Sequence, residues 1–360
     1  MNYINNYLNY LTGSNRKEIY KIFCGFLECL RTDNFNQLHL YITENCLADF
    51  STVGHMKGVH EIKEKLSWPG PKLDIAKITI WNFASRSKND RAVQSAYVQC
   101  IFAVEDEENV YPFIFGGHFC NDYLKEGNEW KISHIKFDLM YEEGNNSFVR
   151  NNWRLMDYGI FCGHTPVISP EFDSPWMAIP VDDEPMSDAE QIFDLQFKKT
   201  FGIDSGNFQL VESTFTDDIY FDFSSHKNNN KYNPTQTDGD YVGKKDVLNF
   251  LKAKQHKEAR LQHTDCLIDL VFDNDNEATA YMFRSEFHRT KNRIYNKQNI
   301  HSNVNTAIHK MQVRKENGEW KICRLGYYPV LEFTSVDDDC LQYDEFICGG
   351  TRWKEIIKGL

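Results

Sequence analysis

The sequence predicts an α+β fold built twice in tandem, each domain with helices packed on one face of a curved antiparallel sheet. Three observations lead there. Asn34-Phe35, Thr43 and Asp49-Phe50-Ser51 return as Asn207-Phe208, Thr216 and Asp222-Phe223-Ser224, each 173 positions later. Trp130-Lys131-Ile132 returns as Trp320-Lys321-Ile322. In both copies helical spacing comes first and long strand-like runs follow, the order expected when helices segregate to one face of an antiparallel sheet.

Each copy opens with a helix. Ser14 is placed to cap the first, with Ile19, Ile22, Phe23, Phe26, Leu27 and Leu30 at helical spacing. Ser187 is placed to cap the second, with acidic Asp188 and Glu190 in the first turn and Ile192, Phe193, Leu195 and Phe197 behind them. A short helix and a strand follow, within Leu38–Phe50 and Val211–Phe223. The second copy then carries an Asn/Lys-rich insertion around His226–Asp240. Both copies reach a glycine and a short amphipathic helix, at Gly58–Leu66 and Gly243–Leu251. Four long strands complete each unit: Leu73–Phe83, Ala92–Val104, Phe113–Leu124 and Trp130–Met140, then Gln262–Phe272, Ala278–Arg289, Asn305–Arg314 and Trp320–Val330. A long twisted sheet curls around its helices and leaves a concave mouth.

These patterns divide the chain into a first domain over 14–140, a strap over 141–186, a second domain over 187–330 and a tail over 331–360. The strap is rich in Pro, Asn and acidic residues, yet Trp153, Tyr158, Phe161 and Trp176 are anchors that a floppy linker does not need. In the tail, Phe346, Trp353, Ile356 and Ile357 suggest docking. The tandem copies are expected to pack as an internal pseudo-dimer, with any further homo-oligomer left open.

A chain of 360 residues holds two domains, each large enough to bury its own core. A formal charge of −12, with no Lys/Arg run, argues against a nucleic-acid partner. No apolar run approaches the roughly 20 residues that span a bilayer, so no membrane partner is expected. Ten cysteines without a C-x-x-C pair point to reduced thiols in a cytoplasmic protein. With no Gly-rich phosphate loop and no H-x-x-x-H or H-E-x-x-H, neither a cofactor nor a metal is expected.

Helices, then glycine plus a short helix, then a sheet whose last strand opens on Trp-Lys-Ile, all duplicated, resemble the NTF2-like superfamily and within it the SnoaL-like branch. The resemblance covers about 14–140 and 187–330. It implies two cone-shaped domains, each with one pocket, in a superfamily of cyclases, isomerases, dehydratases and non-catalytic members, so the fold by itself selects no function. The bile-acid and scytalone dehydratase-like members are the nearest branch. Their first helix carries a Tyr and, five residues on, an Asp; a His opens the following hairpin and an acid lies on the return strand. The second copy matches with Lys199, Asp204, His263 and Glu286, so Lys199 stands where the family has Tyr. The first copy has Phe26, Arg31, Lys77 and Cys100 at those places, which marks it as degenerate.

The residues of the second hairpin support the pairing independently. Asp273-Asn274-Asp275-Asn276 is a turn sequence. A turn centred between 274 and 275 sets His263 opposite Glu286 and Asp265 opposite Arg284. Strict alternation, however, puts His263 on the less apolar face with Asp265 and Asp269, so a β-bulge near Thr264 is the expected device for turning it inward.

The resulting candidate site is His263 as base, with Asp204 and Glu286 orienting it and Lys199 stabilising a developing oxyanion. His288 and Arg284 neighbour Glu286; His118, with His134, is a weaker pair in the first copy, and His309 lies near the place equivalent to His118. His301 reads as a loop residue. For each of these a satisfied strand or surface His is the commoner case. The expected function is a cofactor-free dehydratase (lyase) or isomerase acting on a small, largely apolar hydroxy- or keto-compound. The alternatives are a non-catalytic ligand-binding protein and a structural protein with filled cones.

Overall fold

The computed structural model describes residues 10–67, 70, 72–145, 148, 166–222, 240–254, 259–290 and 302–334. It contains two six-stranded sheets of the same topology. Helix α1 (Ser14–Thr32) leads through a 3-10 turn (Phe35–Leu40) to β1 (Ile42–Phe50), β2 (Gly54–Lys57), α2 (Gly58–Leu66) and the long strands β3 (Ile75–Lys88), β4 (Arg91–Glu105), β5 (Val110–Glu126) and β6 (Glu129–Gly144). Two single-turn helices, α3 (Pro170–Asp173) and α4 (Pro175–Ala178), lie in the strap. The second unit repeats the first with α5 (Asp188–Ser205), α6 (Phe208–Ser213), β7 (Phe215–Asp222), β8 (Asp240–Val242), α7 (Lys244–Lys254), β9 (Ala259–Asn274), β10 (Glu277–Thr290), β11 (Ser302–Glu316) and β12 (Glu319–Thr334).

The sheet orders are β2-β1-β6-β5-β4-β3 and β8-β7-β12-β11-β10-β9. Most neighbours run antiparallel, but β1 pairs parallel with β6, and β7 with β12. Each parallel pair follows from the short helix, which carries the chain across to start the meander at the far edge.

The helix ends show how the sequence sets them. Ser187 caps α5 in a full capping box with Glu190, as its spacing predicts. Ser14 makes no cap to α1, whose N-cap is Gly13; its hydroxyl instead donates to Glu184 Oε1 at 2.8 Å. A carboxylate from the strap thus takes the place that a capping hydroxyl would have held.

The first cone is filled. Phe23, Phe26, Phe50, Phe119 and Phe137 are all buried and meet edge-on or tilted, with Phe119 and Phe137 centroids 4.4 Å apart. Aromatic pairs of this kind add to their area burial and leave little space.

The strap's described residues fasten the two units. Trp176 is buried and its indole donates to Asp194 Oδ1 at 2.8 Å, while Arg86 from β3 reaches Asp194 Oδ2 at 2.8 Å. The anchors Trp153, Tyr158 and Phe161, the insertion from His226 to Gly239 and the tail beyond Thr334 lie outside the described residues. So do His301 and the side chain of His288. No described helix is long and apolar enough to cross a membrane.

Candidate functional site

Helix α5 is buried on nearly every side because it lies between the second sheet and the first domain. Its C-terminal half carries a polar stripe, Gln196, Thr200 and Asp204, at successive i+4 positions and therefore on one face. Strand β9 answers with His263 and Asp265, two apart and so on one face of the sheet. Gln196 Nε2 donates to Asp265 Oδ1 at 3.0 Å and Thr200 Oγ1 to Asp265 Oδ2 at 2.5 Å. Asp204 Oδ1 bonds His263 Nδ1, and Asp204 Oδ2 accepts the His263 backbone N–H at 3.0 Å.

His263 pairs with Glu286 across β9 and β10, and its Nε2 lies 3.3 Å from Glu286 Oε2. The structure thus brings His263, Asp204 and Glu286 together on the concave side of the second sheet. The route differs from the expected one. The turn is the pair Asp275-Asn276, between Asn274 and Glu277, and two register shifts, next to Glu277 and next to Tyr281, then restore the pairing of His263 with Glu286. No bulge occurs at Thr264, since the register is unbroken from Ala259 to Leu267. His263 faces inward because the concave face is polar here: the stripe of α5 supplies the partners that an apolar core would lack.

Lys199 is fully buried on α5, and its Nζ has no hydrogen-bond partner among the described residues. Burial, reinforced by the Arg284 guanidinium and opposed by Asp265 and Asp204, pulls its pKa down to about 7. His309 is 3% exposed, and both its ring nitrogens lack partners among the described residues. Burial first, and then Lys199 and Arg284, hold its pKa well below the ordinary value, so it is neutral. His309 pairs with Met282 on β10, which puts it on the same face as Arg284 and Glu286.

Burial and Arg284 pull the His263 pKa down, but Asp204 and Glu286 outweigh them and raise it above the ordinary histidine value. The two carboxylates thus favour the protonated ring.

The first domain completes this site. Tyr97 Oη, from β4, donates to Asp204 Oδ2 at 2.8 Å. Burial, and then the Asp204 charge, push the Tyr97 pKa well above its usual value, so it remains a donor. Asn82, in β3, donates from Nδ2 to the His263 carbonyl and accepts the Asp265 N–H on Oδ1, both at 2.7 Å. Its φ of 49° lies in the left-handed region, at a register shift between Trp81 and Ala84. Asparagine tolerates that conformation, and its amide here closes the exposed edge of β9 as a neighbouring strand would. Gln262 Nε2 in turn donates to the carbonyls of Val98 and Gly117 at 3.1 and 3.2 Å.

Sequence reasoning named Arg284 and His309 but missed Tyr97, Asn82, Gln196 and Thr200. The i+4 stripe on α5 was legible. The contributions of Tyr97 and Asn82 were not, because they depend on how the domains pack.

His118 faces the other way, outward onto the second domain. Its Nε2 bonds Ser95 Oγ at 2.9 Å, its ring meets Phe201 at 5.1 Å, and burial drops its pKa to about 3. The one-residue offset between His118 and His309 accounts for the opposite facings. His134 joins Asp49 at 2.6 Å and does not line the cavity of about 190 Å³ that borders His118. That cavity lies between the domains, with Tyr97, Asp138, Ile168, Phe201 and Asp204 among its walls.

Among the described residues no group of three His, Cys, Asp or Glu side chains is arranged to hold a metal ion. The seven described cysteines are free, and burial pushes Cys24, Cys29 and Cys266 to about 11 and Cys46 to about 12, which leaves them as thiols.

Comparison with known proteins agrees with this architecture. The SnoaL-like domain family matches residues 184–326. Similar solved structures include the Kfla4162 protein from Kribbella flavida, with 18% identity, 36% of this chain and 93% of that one covered, and a TM-score of 0.33. A hexachlorocyclohexane dehydrochlorinase, LinA-type3 from Novosphingobium barchaimii, shows 14% identity over 42% of this chain and 93% of its own, with a TM-score of 0.33. A ketosteroid isomerase-like protein from Erwinia carotovora atroseptica shows 12% identity over 38% and 92%, with a TM-score of 0.30. No curated protein sequence matches the chain. Residues 184–326 thus match the SnoaL-like domain family, and the first unit repeats the strand order of the second, so the chain holds two α+β domains of the same topology in tandem.

Proposed function

We propose that the second domain carries out acid–base chemistry on a small hydroxy- or keto-compound, as a dehydratase or isomerase. The observation that carries this reading is the inward-facing His263, held at Nδ1 by Asp204 and set against Glu286 at 3.3 Å through Nε2. Asp204 fixes the ring so that Nε2 is the atom that exchanges protons. Asp204 and Glu286 raise the His263 pKa, which favours the imidazolium. His263 therefore acts first as the acid, delivering a proton to a carbonyl or departing hydroxyl oxygen, while the Glu286 carboxylate takes the proton from the adjacent carbon. This reverses the order in which a neutral His263 would act as base. The surroundings of His263 are charged, so the reacting end of the substrate is polar, while the buried Leu267, Met282, Met311 and Leu325 make the interior beyond them apolar.

Exchange of C–H protons beside a carbonyl reports this chemistry whether the outcome is elimination or isomerisation. A panel of small cyclic and linear ketones in D2O, followed by NMR, should include a compound that exchanges faster with the protein than without it. His263→Ala and Glu286→Gln should each lower that rate at least tenfold while keeping the fold. Catalysed exchange that is unchanged in both variants would remove the two residues from the mechanism.

A structural role without catalysis is the alternative, and the aromatic-filled first cone makes it the better description of the first domain. There, Phe26 and Phe119 occupy the interior that Lys199 and His309 occupy in the second.

A further inference from the structure

Three polar groups in the second cone are buried without hydrogen-bond partners among the described residues: Lys199 Nζ, the His309 imidazole and Gln196 Oε1. Leaving such groups unpaired costs about 1–3 kcal/mol each. A structural lysine escapes that cost by extending its stem to water or to a carboxylate. Lys199 does neither, although α5 carries Asp204 only five residues away. Its amine is held in the interior with Arg284, Asp265 and Asp204 in electrostatic reach. A desolvated amine beside a second cation is the arrangement that turns lysine into a nucleophile.

We propose that Lys199 is a covalent catalyst that forms an iminium with the carbonyl carbon of an aldehyde or ketone. The inference rests on the reading of the second cone as the reaction chamber. The Nζ lone pair forms the C–N bond while the carbonyl π pair moves onto oxygen. One amine proton passes to that oxygen, giving a neutral carbinolamine. The His263 imidazolium then protonates the hydroxyl, the C–O bond breaks, and water leaves with formation of the C=N bond. The balance is one amine, one carbonyl compound and one proton from His263, yielding one iminium and one water. The positive nitrogen acidifies the neighbouring C–H, and Glu286, 3.3 Å from His263 Nε2, is the carboxylate placed to take that proton. Lys199 thereby serves as the electron sink that a bound cofactor supplies in other enzymes. Its lowered pKa, about 7, supports the step, because it enlarges the share of neutral amine at pH 7.

Reductive trapping tests this directly. The intact protein is incubated at pH 7 with cyclohexanone and sodium cyanoborohydride, and alkylated lysines are located by peptide mass spectrometry. An ordinary lysine near 10.4 is almost wholly protonated at that pH, so Lys199 should alkylate at least tenfold faster than an exposed lysine. Its labelling should climb as pH rises through 7. Lys199→Met should abolish that label and leave the circular dichroism spectrum unchanged, and His263→Ala should slow it through loss of the proton donor. Labelling of Lys199 no faster than that of surface lysines would overturn the proposal. So would absence of label in a protein whose ketone exchange still depends on His263, an outcome that leaves the acid–base reading standing without the covalent step.

Discussion

Tyr97 and Asp204 lie in different domains, yet the Tyr97 hydroxyl donates to Asp204 Oδ2 at 2.8 Å, on the same carboxylate that bonds His263 Nδ1. The first domain therefore holds the dyad of the second. Replacing Tyr97 by Phe removes one donor and little volume. The Asp204 charge is then less dispersed, so the His263 pKa should rise further, and global stability should fall by about 1–3 kcal/mol. Titration of the His263 ring protons by NMR, together with urea unfolding, measures both. If neither moves, Tyr97 has no part in positioning the site.

Asn82 closes the edge of β9 on either side of Thr264. Asn82→Gly keeps the left-handed backbone at no steric cost and deletes only the amide. The Asp265 N–H then loses its partner. Its hydrogen exchange should accelerate by one to two orders of magnitude, matching the roughly 1–3 kcal/mol of an unmade buried bond. Exchange at the wild-type rate would show that β9 is held from the sheet side alone.

Lys199 gives the molecule a pH dependence of definite sign. Its folded pKa, about 7, lies below the ordinary lysine value, so between about 7 and 10.5 the unfolded chain binds more protons and stability rises with pH. Below that window the buried ammonium carries its full penalty, at most roughly 5 kcal/mol from a shift of this size. Lys199→Met should therefore stabilise the protein most at pH 6 and progressively less towards pH 10. A constant difference across that range, in unfolding midpoints compared pairwise, would place the amine in contact with water.

Arg16 is 2% exposed and joins α1 to the strap and to α5, at 3.0 Å from Asp182, 3.3 Å from Glu190 and 3.8 Å from Glu184. Removing one member of a buried ion network leaves the others unpaired and costs about 3–5 kcal/mol. Arg16→Met should lower stability by that amount, with both domains unfolding in one transition. Two separated calorimetric transitions in the wild-type protein would contradict the coupling that this cluster implies.

The sequence by itself determined the duplication, the order of elements in each copy and the difference between Phe26, Arg31, Lys77 and Cys100 in the first and Lys199, Asp204, His263 and Glu286 in the second. Repeated motifs and local periodicity carry those features, and both are properties of the chain read along its length. It also determined the His263–Glu286 pairing, although through compensation: the turn lies one residue further on than expected, and two register shifts restore the match. Tertiary structure alone decided that His263 faces inward. Alternation names two faces of a strand but not which one meets a helix, and here the polar face meets the stripe Gln196, Thr200 and Asp204. The service of Tyr97 and Asn82 to the second site was likewise decided only by packing, because a hydrogen bond between residues more than a hundred positions apart leaves no periodicity in either segment.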